Sequence, residues 1–149
     1  MKTIGNILWF ILGGFIAGTV WLLAGAVLCV TIIGIPFGLA CFRIAAFAYA
    51  PFGKELVDAR DVGEERVTGT GIANAIWVVI AGLWLWILNV LAGISCCLAI
   101  ITIPFGIAYF KLAAASFAPL GKRIVSGDMA KVIRQRKASG ELDARLARK

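Results

Sequence analysis

Two long stretches of the chain contain almost no charged residues. Between Ile4 and Tyr49 the single charge is Arg43, and between Gly71 and Leu120 it is Lys111. A helix needs about 20 apolar residues to cross the hydrocarbon core of a bilayer, and each stretch is more than twice as long. The pattern therefore predicts an integral membrane protein of the all-α class.

A proline interrupts each apolar stretch. Pro36 and Pro104 remove a backbone donor and disfavour helix at the preceding residue, although proline suits the first turn of a new helix. We therefore predict a helix that begins at Pro36 and ends before Pro51, and a copy between Pro104 and Pro119. About 14 residues at 1.5 Å each give roughly 21 Å, short of a core of about 30 Å. This helix either lies at the membrane interface or extends a kinked helix that begins near Cys29.

The second stretch repeats the first after a shift of 68 residues, which places Asn6 on Asn74. Apolar composition alone would not bring asparagine, tryptophan, proline and glycine into register, so the chain is an internal duplication. The pairs that define the repeat are Asn6 and Asn74, Trp9 and Trp77, Pro36 and Pro104, Gly38 and Gly106, Pro51 and Pro119, and Gly53 and Gly121. We expect a first membrane repeat over 4–57, a charged cytoplasmic linker over 58–71, a second repeat over 72–125 and a basic cytoplasmic tail over 126–149.

Three motifs occur in both halves: Asn-x-x-Trp, Ile-Ile-x-Ile-Pro-Phe-Gly and Pro-x-Gly-Lys. With these motifs, residues 3–126 resemble the YccF family of small bacterial inner-membrane proteins. The resemblance implies a location in the bacterial inner membrane and a tandem repeat. It implies no particular activity.

The residues before each apolar run predict how the first helix begins. Asn6 and Asn74 are expected at the helix start, where an asparagine side chain accepts bonds from free backbone amides. Trp9 and Trp77 follow one turn later. They are expected at the membrane interface, with the indole N–H among the headgroups.

Two topologies are compatible with the repeat. In the first, each repeat is a hairpin that turns near Gly25 or Gly93, so the N-terminus, linker and tail share one side. In the second, each repeat crosses once, the short helix lies flat and the linker is outside. Basic residues near membrane ends favour the cytoplasm, and nine Lys and Arg follow from Lys122 onward. We expect a multi-pass protein with a cytoplasmic C-terminus and favour the hairpin, because Lys54 is then cytoplasmic like its copy Lys122.

Composition narrows the possible chemistry. Apolar residues make up 61% of the chain and charged residues 15%, against roughly 45–50% and about 25% in soluble domains. The absence of histidine removes Ser-His and Cys-His nucleophile pairs and histidine metal ligands. Asp and Glu lie outside both apolar stretches, which leaves an intramembrane proton relay unsupported. We therefore expect no catalytic residues, no metal, no cofactor and no enzymatic activity.

The linker and the cysteines favour structural interpretations. Acidic and basic residues alternate in the linker, as expected of a solvated segment: Asp58, Arg60, Asp61, Glu64, Glu65 and Arg66. The cysteines lack a Cys-x-x-Cys spacing and are expected to act as small apolar residues: Cys29, Cys41, Cys96 and Cys97. The adjacent Cys96 and Cys97 would be redox-active only if exposed near the outer face.

The tail carries a basic amphipathic segment. Its apolar face is expected to hold Met129, Val132 and Ile133, and its basic face Lys131, Arg134 and Lys137. Beside a membrane this pattern predicts a surface helix on anionic lipid, which Ser139 and Gly140 are expected to end. No aromatic or groove-reading element accompanies the charge, so no nucleic acid is expected.

Arg43 and Lys111 are the candidate functional residues, because a charge within a membrane segment usually faces protein, water or headgroups. They extend to lipid phosphates, line an oligomeric pore that favours anions, or act as structural counter-charges. Two repeats bury few helix faces, so we expect a homo-oligomer. The first hypothesis is a homo-oligomeric channel or permeation component with these residues near the pathway. The alternative is a non-transporting scaffold or regulatory subunit that binds a partner transporter.

Overall fold

Each half of the protein contains a long helix, a turn, a short helix and a short strand. A computed structural model describes residues 2–32, 34–65 and 69–147; Arg66 of the predicted linker and the last two residues of the tail lie outside these ranges. The elements are α1 (Lys2–Cys29), α2 (Ile35–Tyr49), β1 (Lys54–Asp58), a 3-10 turn (Ala59–Val62), α3 (Thr70–Cys97), a 3-10 turn (Ile100–Thr102), α4 (Ile103–Phe117), β2 (Lys122–Ser126) and α5 (Gly127–Leu146). The predicted helical membrane fold with tandem repeats is confirmed, and a two-stranded ribbon is added to it.

The short helices begin where the prolines predict. Pro36 and Pro104 lie in the first turns of α2 and α4, and α2 ends two residues before Pro51. A glycine in each short helix then allows close contact with the end of the long helix. A Cβ on Gly38 would lie 2.3 Å from the sulfur of Cys29, and the copy of this contact is made by Gly106. Any larger residue would separate the two helices.

The long helices do not turn where the sequence suggested. α1 continues through Gly25 to Cys29, and α3 continues through Gly93, so the predicted turn near these glycines is wrong. Both glycines serve helix packing instead. A Cβ on Gly25 would lie 2.7 Å from the ring of Phe42, and the same contact recurs in the second half. The chain reverses later, between the end of each long helix and the start of its short helix.

Both long helices contain a π-helical segment at the same repeat position. These segments are Phe10–Gly14 in α1 and Val78–Gly82 in α3. A π-helical segment inserts an extra residue into the helical turn and often marks a functional or packing irregularity. Here the indole of Trp9 covers Gly14 so closely that a Cβ there would lie 2.3 Å from the ring. The irregularity therefore makes room for a large side chain inside the fold.

The two strands pair antiparallel and relate the halves by symmetry. Leu56 lies opposite Ile124 in the register, and these residues are equivalent under the 68-residue repeat. Antiparallel pairing of equivalent residues requires an approximate twofold axis between them. Backbone bonds at the ribbon ends obey the same symmetry, because Ala59 N–H donates to Gly121 at 2.8 Å and Gly127 N–H donates to Gly53 at 2.9 Å. The halves are thus related by rotation about one axis through the ribbon.

The N-terminus, the linker and the tail lie together. The aliphatic part of Lys2 lies against Gly53, and Lys137 of α5 pairs with Asp61 of the linker at 2.7 Å. Groups in contact cannot lie on opposite sides of a bilayer, so each repeat returns to the side from which it started. This excludes the alternative topology, in which linker and tail are separated. We call β1, its 3-10 turn, β2 and α5 the platform.

The tail helix is longer than expected. α5 runs through Ser139 and Gly140 to Leu146, so the predicted end is wrong. A single glycine costs only about 1 kcal/mol within a helix. The N-terminus of this helix is capped, since the Ser126 side chain accepts a hydrogen bond from the Met129 amide. Among the described residues, those of α5 that are buried lie in its first two turns, where the helix packs on both strands.

The core lies between the two short helices and the inner sides of the long ones. α2 and α4 are the more buried helices, whereas α1 and α3 expose aliphatic side chains on most of their surface. Three described helical segments are long and apolar enough to span a membrane: Lys2–Cys29, Thr70–Cys97 and Ile100–Phe117. The long helices therefore form the natural surface for contact with lipid.

Candidate functional site

The asparagines of the repeat motif hold the backbone that follows each short helix. Asn6 Oδ1 accepts the amide of Phe52 at 2.9 Å while its Nδ2 donates to the Phe52 carbonyl at 3.1 Å. Asn74 makes the same two bonds to Leu120, each 3.2 Å long. The predicted capping role is wrong, because α1 begins at Lys2 and α3 at Thr70, so both asparagines lie within their helices. Each clamp satisfies a peptide that has left its helix beside an apolar core.

The tryptophans of the motif are buried rather than interfacial. Trp9 is 1% exposed and Trp77 5% exposed, so the predicted place among the headgroups is wrong. Their indole N–H groups donate to the carbonyls of Ala48 at 2.6 Å and Ser116 at 2.8 Å. These carbonyls belong to the last turns of α2 and α4, where helical partners are lacking. A buried indole and an unpaired helix carbonyl thus satisfy one another.

The remaining motif residues shape the turn into each strand. Pro51 and Pro119 are almost fully buried. Gly53 and Gly121 have φ of 85° and 78°, in the left-handed region that favours glycine. The repeated motif therefore builds the architecture and supplies no reactive group.

Aromatic side chains fill the space between the two repeats. The rings of Trp9 and Tyr109 lie 4.8 Å apart, and Trp77 stacks on Phe37 at 5.6 Å and on Trp21 at 6.3 Å. Each long helix thus packs its tryptophan on the short helix of the other repeat. A passage for ions would have to lie between copies of the chain, and the predicted oligomeric channel stays a prediction.

Arg43 lines a cavity formed by both halves of the protein. The cavity measures about 570 Å³ and lies between α2, the linker and the start of β2. Its polar residues include Arg43, Glu64, Glu65 and Arg123. The rest of its lining includes aliphatic residues from the first turns of α2, among them Ile35 and Leu39. We call this space the Arg43 cavity.

Lys111 lies in a different place. It lines two smaller spaces of about 120 and 210 Å³, the first beside Glu55 and Lys122 and the second beside Pro51 and Pro104. The structure therefore does not bring Arg43 and Lys111 into one cavity of the single chain. Both residues lie next to platform residues.

One ion pair dominates the electrostatics of the Arg43 cavity. The Nε of Arg123 donates to both carboxylate oxygens of Glu64 at 2.7 Å, and Nη2 pairs with one of them as well. These hydrogen bonds lower the pKa of Glu64, to which Arg43 adds a smaller electrostatic effect. The same hydrogen bond raises the pKa of Arg123.

The sequence did not single out Arg123 or Glu64 as partners of Arg43. Glu64 and Arg123 are separated by 59 residues along the chain. In addition, the sequence predicts that the linker, which contains Glu64, is a solvated segment. Its residues, most of them exposed, continue β1 into a 3-10 turn, and Asp61 pairs with Lys137 of the tail. Glu55, just before the linker, pairs with Arg134 at 3.2 Å. The repeat offered one signal, since Arg123 is the copy of Glu55 and reverses its charge.

An apolar groove breaks the symmetry between the repeats. Tyr109 fills the space beside Gly13, where a Cβ would lie 2.5 Å from its hydroxyl. The equivalent residues are Cys41 and Ala81. Ala81 lines an open groove of about 660 Å³ between the end of α1 and the start of α3. Cys41 is fully buried in the core and does not line this groove.

The cysteines and acidic residues form no reactive cluster in the described ranges. All four cysteines are free thiols; Cys41 is buried and Cys97 exposed. Among residues 2–32, 34–65 and 69–147, no group of three or more Cys, Asp or Glu side chains is arranged to hold a metal ion.

Comparisons with known proteins identify the repeated unit. The model of the YccF inner membrane component domain matches residues 4–54 and again 72–122. The chain is 37% identical over 143 residues to the inner membrane protein YccF of Escherichia coli K12, covering 93% of this chain and 97% of that protein. The YccF protein of Shigella flexneri matches equally well. No solved structure matches the chain.

Proposed function

Because this chain belongs to the YccF family of bacterial inner-membrane proteins, we propose that it is a non-enzymatic membrane scaffold or regulatory subunit. It binds a partner membrane protein through the platform, on the cytoplasmic side. The observation that carries the proposal is the distal half of α5, which is exposed and carries two large apolar side chains on one face. These are Leu142 at 62% and Leu146 at 63% exposure.

The geometry of α5 favours a binding role. Its first turns are held by Ala130 and Ile133, which are buried on the ribbon, and by ion pairs to the linker. Its distal turns have no buried residue in the described part of the chain. Leu142 and Leu146 lie one turn apart and therefore share a face. A rigidly anchored helix with a free apolar face is suited to pack into the groove of another protein.

The basic residues of the platform support its cytoplasmic orientation. Lys122, Arg123 and Lys131 belong to the nine basic residues near the end of the second membrane segment. Such residues near membrane ends favour the cytoplasmic side. A partner transporter that exposes an apolar groove with acidic edges would complement this helix.

Self-association in the bilayer forms a further part of the proposal. α1 and α3 expose long aliphatic surfaces that lie outside the core of the single chain, and small residues allow close packing in lipid. A homo-oligomer would place several platforms side by side. Chemical cross-linking in native membranes would give a ladder of multiples of the chain mass, whereas a monomer alone would count against this part.

Site-specific photocross-linking tests the partner role. A photoreactive amino acid is placed at Leu142 or Leu146 of the full chain in native membranes, with Ala144 on the opposite face as the matched control. We expect one adduct of defined mass from positions 142 and 146 and none from 144. Equal adducts from all three positions, or none from any, would contradict the proposed face.

Ion flux separates the scaffold from the channel. The purified full chain in liposomes is expected to give no flux above that of empty liposomes, both as the native chain and with Arg43→Glu and Lys111→Glu combined. A flux whose ion preference reverses in this double variant would contradict the scaffold proposal and establish the channel.

A further inference from the structure

The Arg43 cavity has the chemistry of a site for an anionic amphiphile. One wall is aliphatic, and Ile35 and Leu39 are 41% and 49% exposed. Arg43 lies on the same face of α2 as these two residues, and Arg123 of β2 also lines the cavity, so each repeat contributes one arginine. Guanidinium groups bind phosphate through paired hydrogen bonds that a lysine ammonium does not provide. The cavity thus joins an apolar surface to two phosphate-binding groups.

Glu64 occupies the anion position of this cavity. Its carboxylate takes two hydrogen bonds from Arg123 at 2.7 Å and lies within electrostatic reach of Arg43. Arg43 itself makes no hydrogen bond or ion pair with the residues that the structure describes. The side chains of Arg123 and Glu64 are 34% and 44% exposed, and ion pairs that solvent reaches contribute little to stability. A stronger anion could therefore replace the carboxylate.

We propose that the Arg43 cavity binds a phosphate-bearing anion, the headgroup of an anionic phospholipid, which displaces Glu64 from Arg123 and is held by Arg43 and Arg123 together. The acyl chains then lie along Ile35 and Leu39. The backbone amide of Glu64 donates to the Ala59 carbonyl at 3.0 Å, so the displacement needs to move only the side chain. The proposal does not depend on the scaffold role of α5.

The other half of the protein provides a natural comparison. The copy of Arg43 is Lys111, and the copy of Arg123 is Glu55, which already pairs with Arg134. The space beside Lys111 and Glu55 measures only about 120 Å³. One arginine is thus replaced by lysine and the other by an acid, so we expect one strong site per chain and none at the equivalent position.

The test uses the purified full chain in a neutral detergent. Phosphatidylglycerol is titrated and the bound lipid counted by native mass spectrometry. Losing one charge-assisted contact is expected to weaken binding about tenfold or more in Arg43→Gln and in Arg123→Gln. Lys111→Gln, the matched control, should change the affinity less than about twofold, since this half-buried lysine lies outside the site. Equal weakening in Arg43→Gln and Lys111→Gln would overturn the site.

Glu64→Gln gives a gain that misfolding cannot produce. Removing the competing carboxylate is expected to tighten phosphatidylglycerol binding several-fold, since neutral glutamine competes poorly for two guanidinium groups. Weaker binding in this variant would overturn the displacement proposal.

Two further ligands distinguish the sources of phosphate. Phosphatidylcholine, whose headgroup has no net charge, should bind more weakly than phosphatidylglycerol. Inorganic phosphate at the concentration of the lipid should fail to displace it, because it gains nothing from the aliphatic wall. If inorganic phosphate displaced phosphatidylglycerol at equal concentration, the site would be assigned to free phosphate and the lipid proposal would be overturned.

Discussion

The Asn–Trp pair of the first repeat makes the same buried contacts as the pair of the second. Asn6 and Asn74 each bond a peptide 46 residues later, and Trp9 and Trp77 each bond a carbonyl 39 residues later. The surfaces around these pairs differ. Tyr109 packs against Gly13, whereas an open apolar groove borders Ala81, the residue equivalent to Gly13. The ribbon partners Glu55 and Arg123 even carry opposite charges.

This comparison separates two kinds of constraint within one duplicated sequence. A buried polar group costs stability unless it is bonded, so the clamps act in the same way in both halves. A surface residue faces no such requirement, and the two halves are free to present different chemistry. The differences between the halves therefore point to function more directly than the shared motif does.

The largest expected effect comes from removing a tryptophan. Trp9→Ala and Trp77→Ala should each lower the free energy of unfolding by about 3–5 kcal/mol, because each removes a large buried ring and leaves a carbonyl unpaired. Thermal unfolding in detergent measures both. Losses of similar size would support the equivalence of the two halves, whereas a loss in only one half would contradict it.

Removing an asparagine should have a smaller effect of the same kind. Asn6→Ala and Asn74→Ala each leave the N–H and C=O of one residue without their partner, which costs about 1–3 kcal/mol per unsatisfied group. The partner residues, Phe52 and Leu120, are only half-buried, so we expect the lower part of that range. Asn6→Asp is the matched variant, since it keeps the acceptor and removes the donor. An unchanged unfolding temperature in Asn6→Ala would contradict the clamp.

The contact of Tyr109 with Gly13 can be copied into the equivalent position of the other half. Cys41→Tyr places a hydroxyl where the Cβ of Ala81 now lies, and this overpacking should cost about 1–3 kcal/mol. Ala81→Gly recreates the contact of Gly13 with Tyr109 and should restore most of the loss. A double-mutant cycle then gives a favourable coupling of about 0.5–3 kcal/mol. Strictly additive effects would show that the repeats do not pack equivalently here.

The smallest expected effect concerns Glu64. Its pKa is lowered in the folded protein, so its ion pair stabilises the fold above the unfolded carboxyl pKa of about 4.3 and is lost as acid brings the pH through the lowered value. The Glu64→Gln variant has no carboxyl group to protonate at this position. Its unfolding temperature should therefore fall less than that of the native chain when the pH is lowered through this range. A stabilising contribution of Glu64, measured as native chain minus variant, that increased as the pH fell below about 4.3 would contradict this sign.

Much of the fold could be predicted from local pattern. The repeat, the apolar helices and the start of α2 at the proline depend on residues close together in sequence, and all are found. The turn near Gly25 was wrong because a glycine in a membrane helix serves close packing as readily as a turn. The ribbon was missed because each strand has only five residues, and its partner lies 68 positions away.

The candidate site depended on contacts between distant segments. Arg43, as a charge in a membrane segment, was expected to face protein, water or headgroups. Its neighbours Glu64 and Arg123 follow only from the pairing of the strands. The roles of Asn6 and Trp9 were wrong for the same reason. Asn6 bonds Phe52 after α2 and Trp9 bonds Ala48 within α2, and no local sequence signal shows that this part of the chain packs against α1.

The central claim is that the linker and the tail form one platform on one side of the membrane. Single cysteines at Glu65 and Ser139, in a variant without the native cysteines, test it through labelling by an impermeant maleimide. We predict that neither position is labelled in intact spheroplasts and that both are labelled in inverted membrane vesicles. Labelling of one position in spheroplasts and of the other only in inverted vesicles would contradict the account.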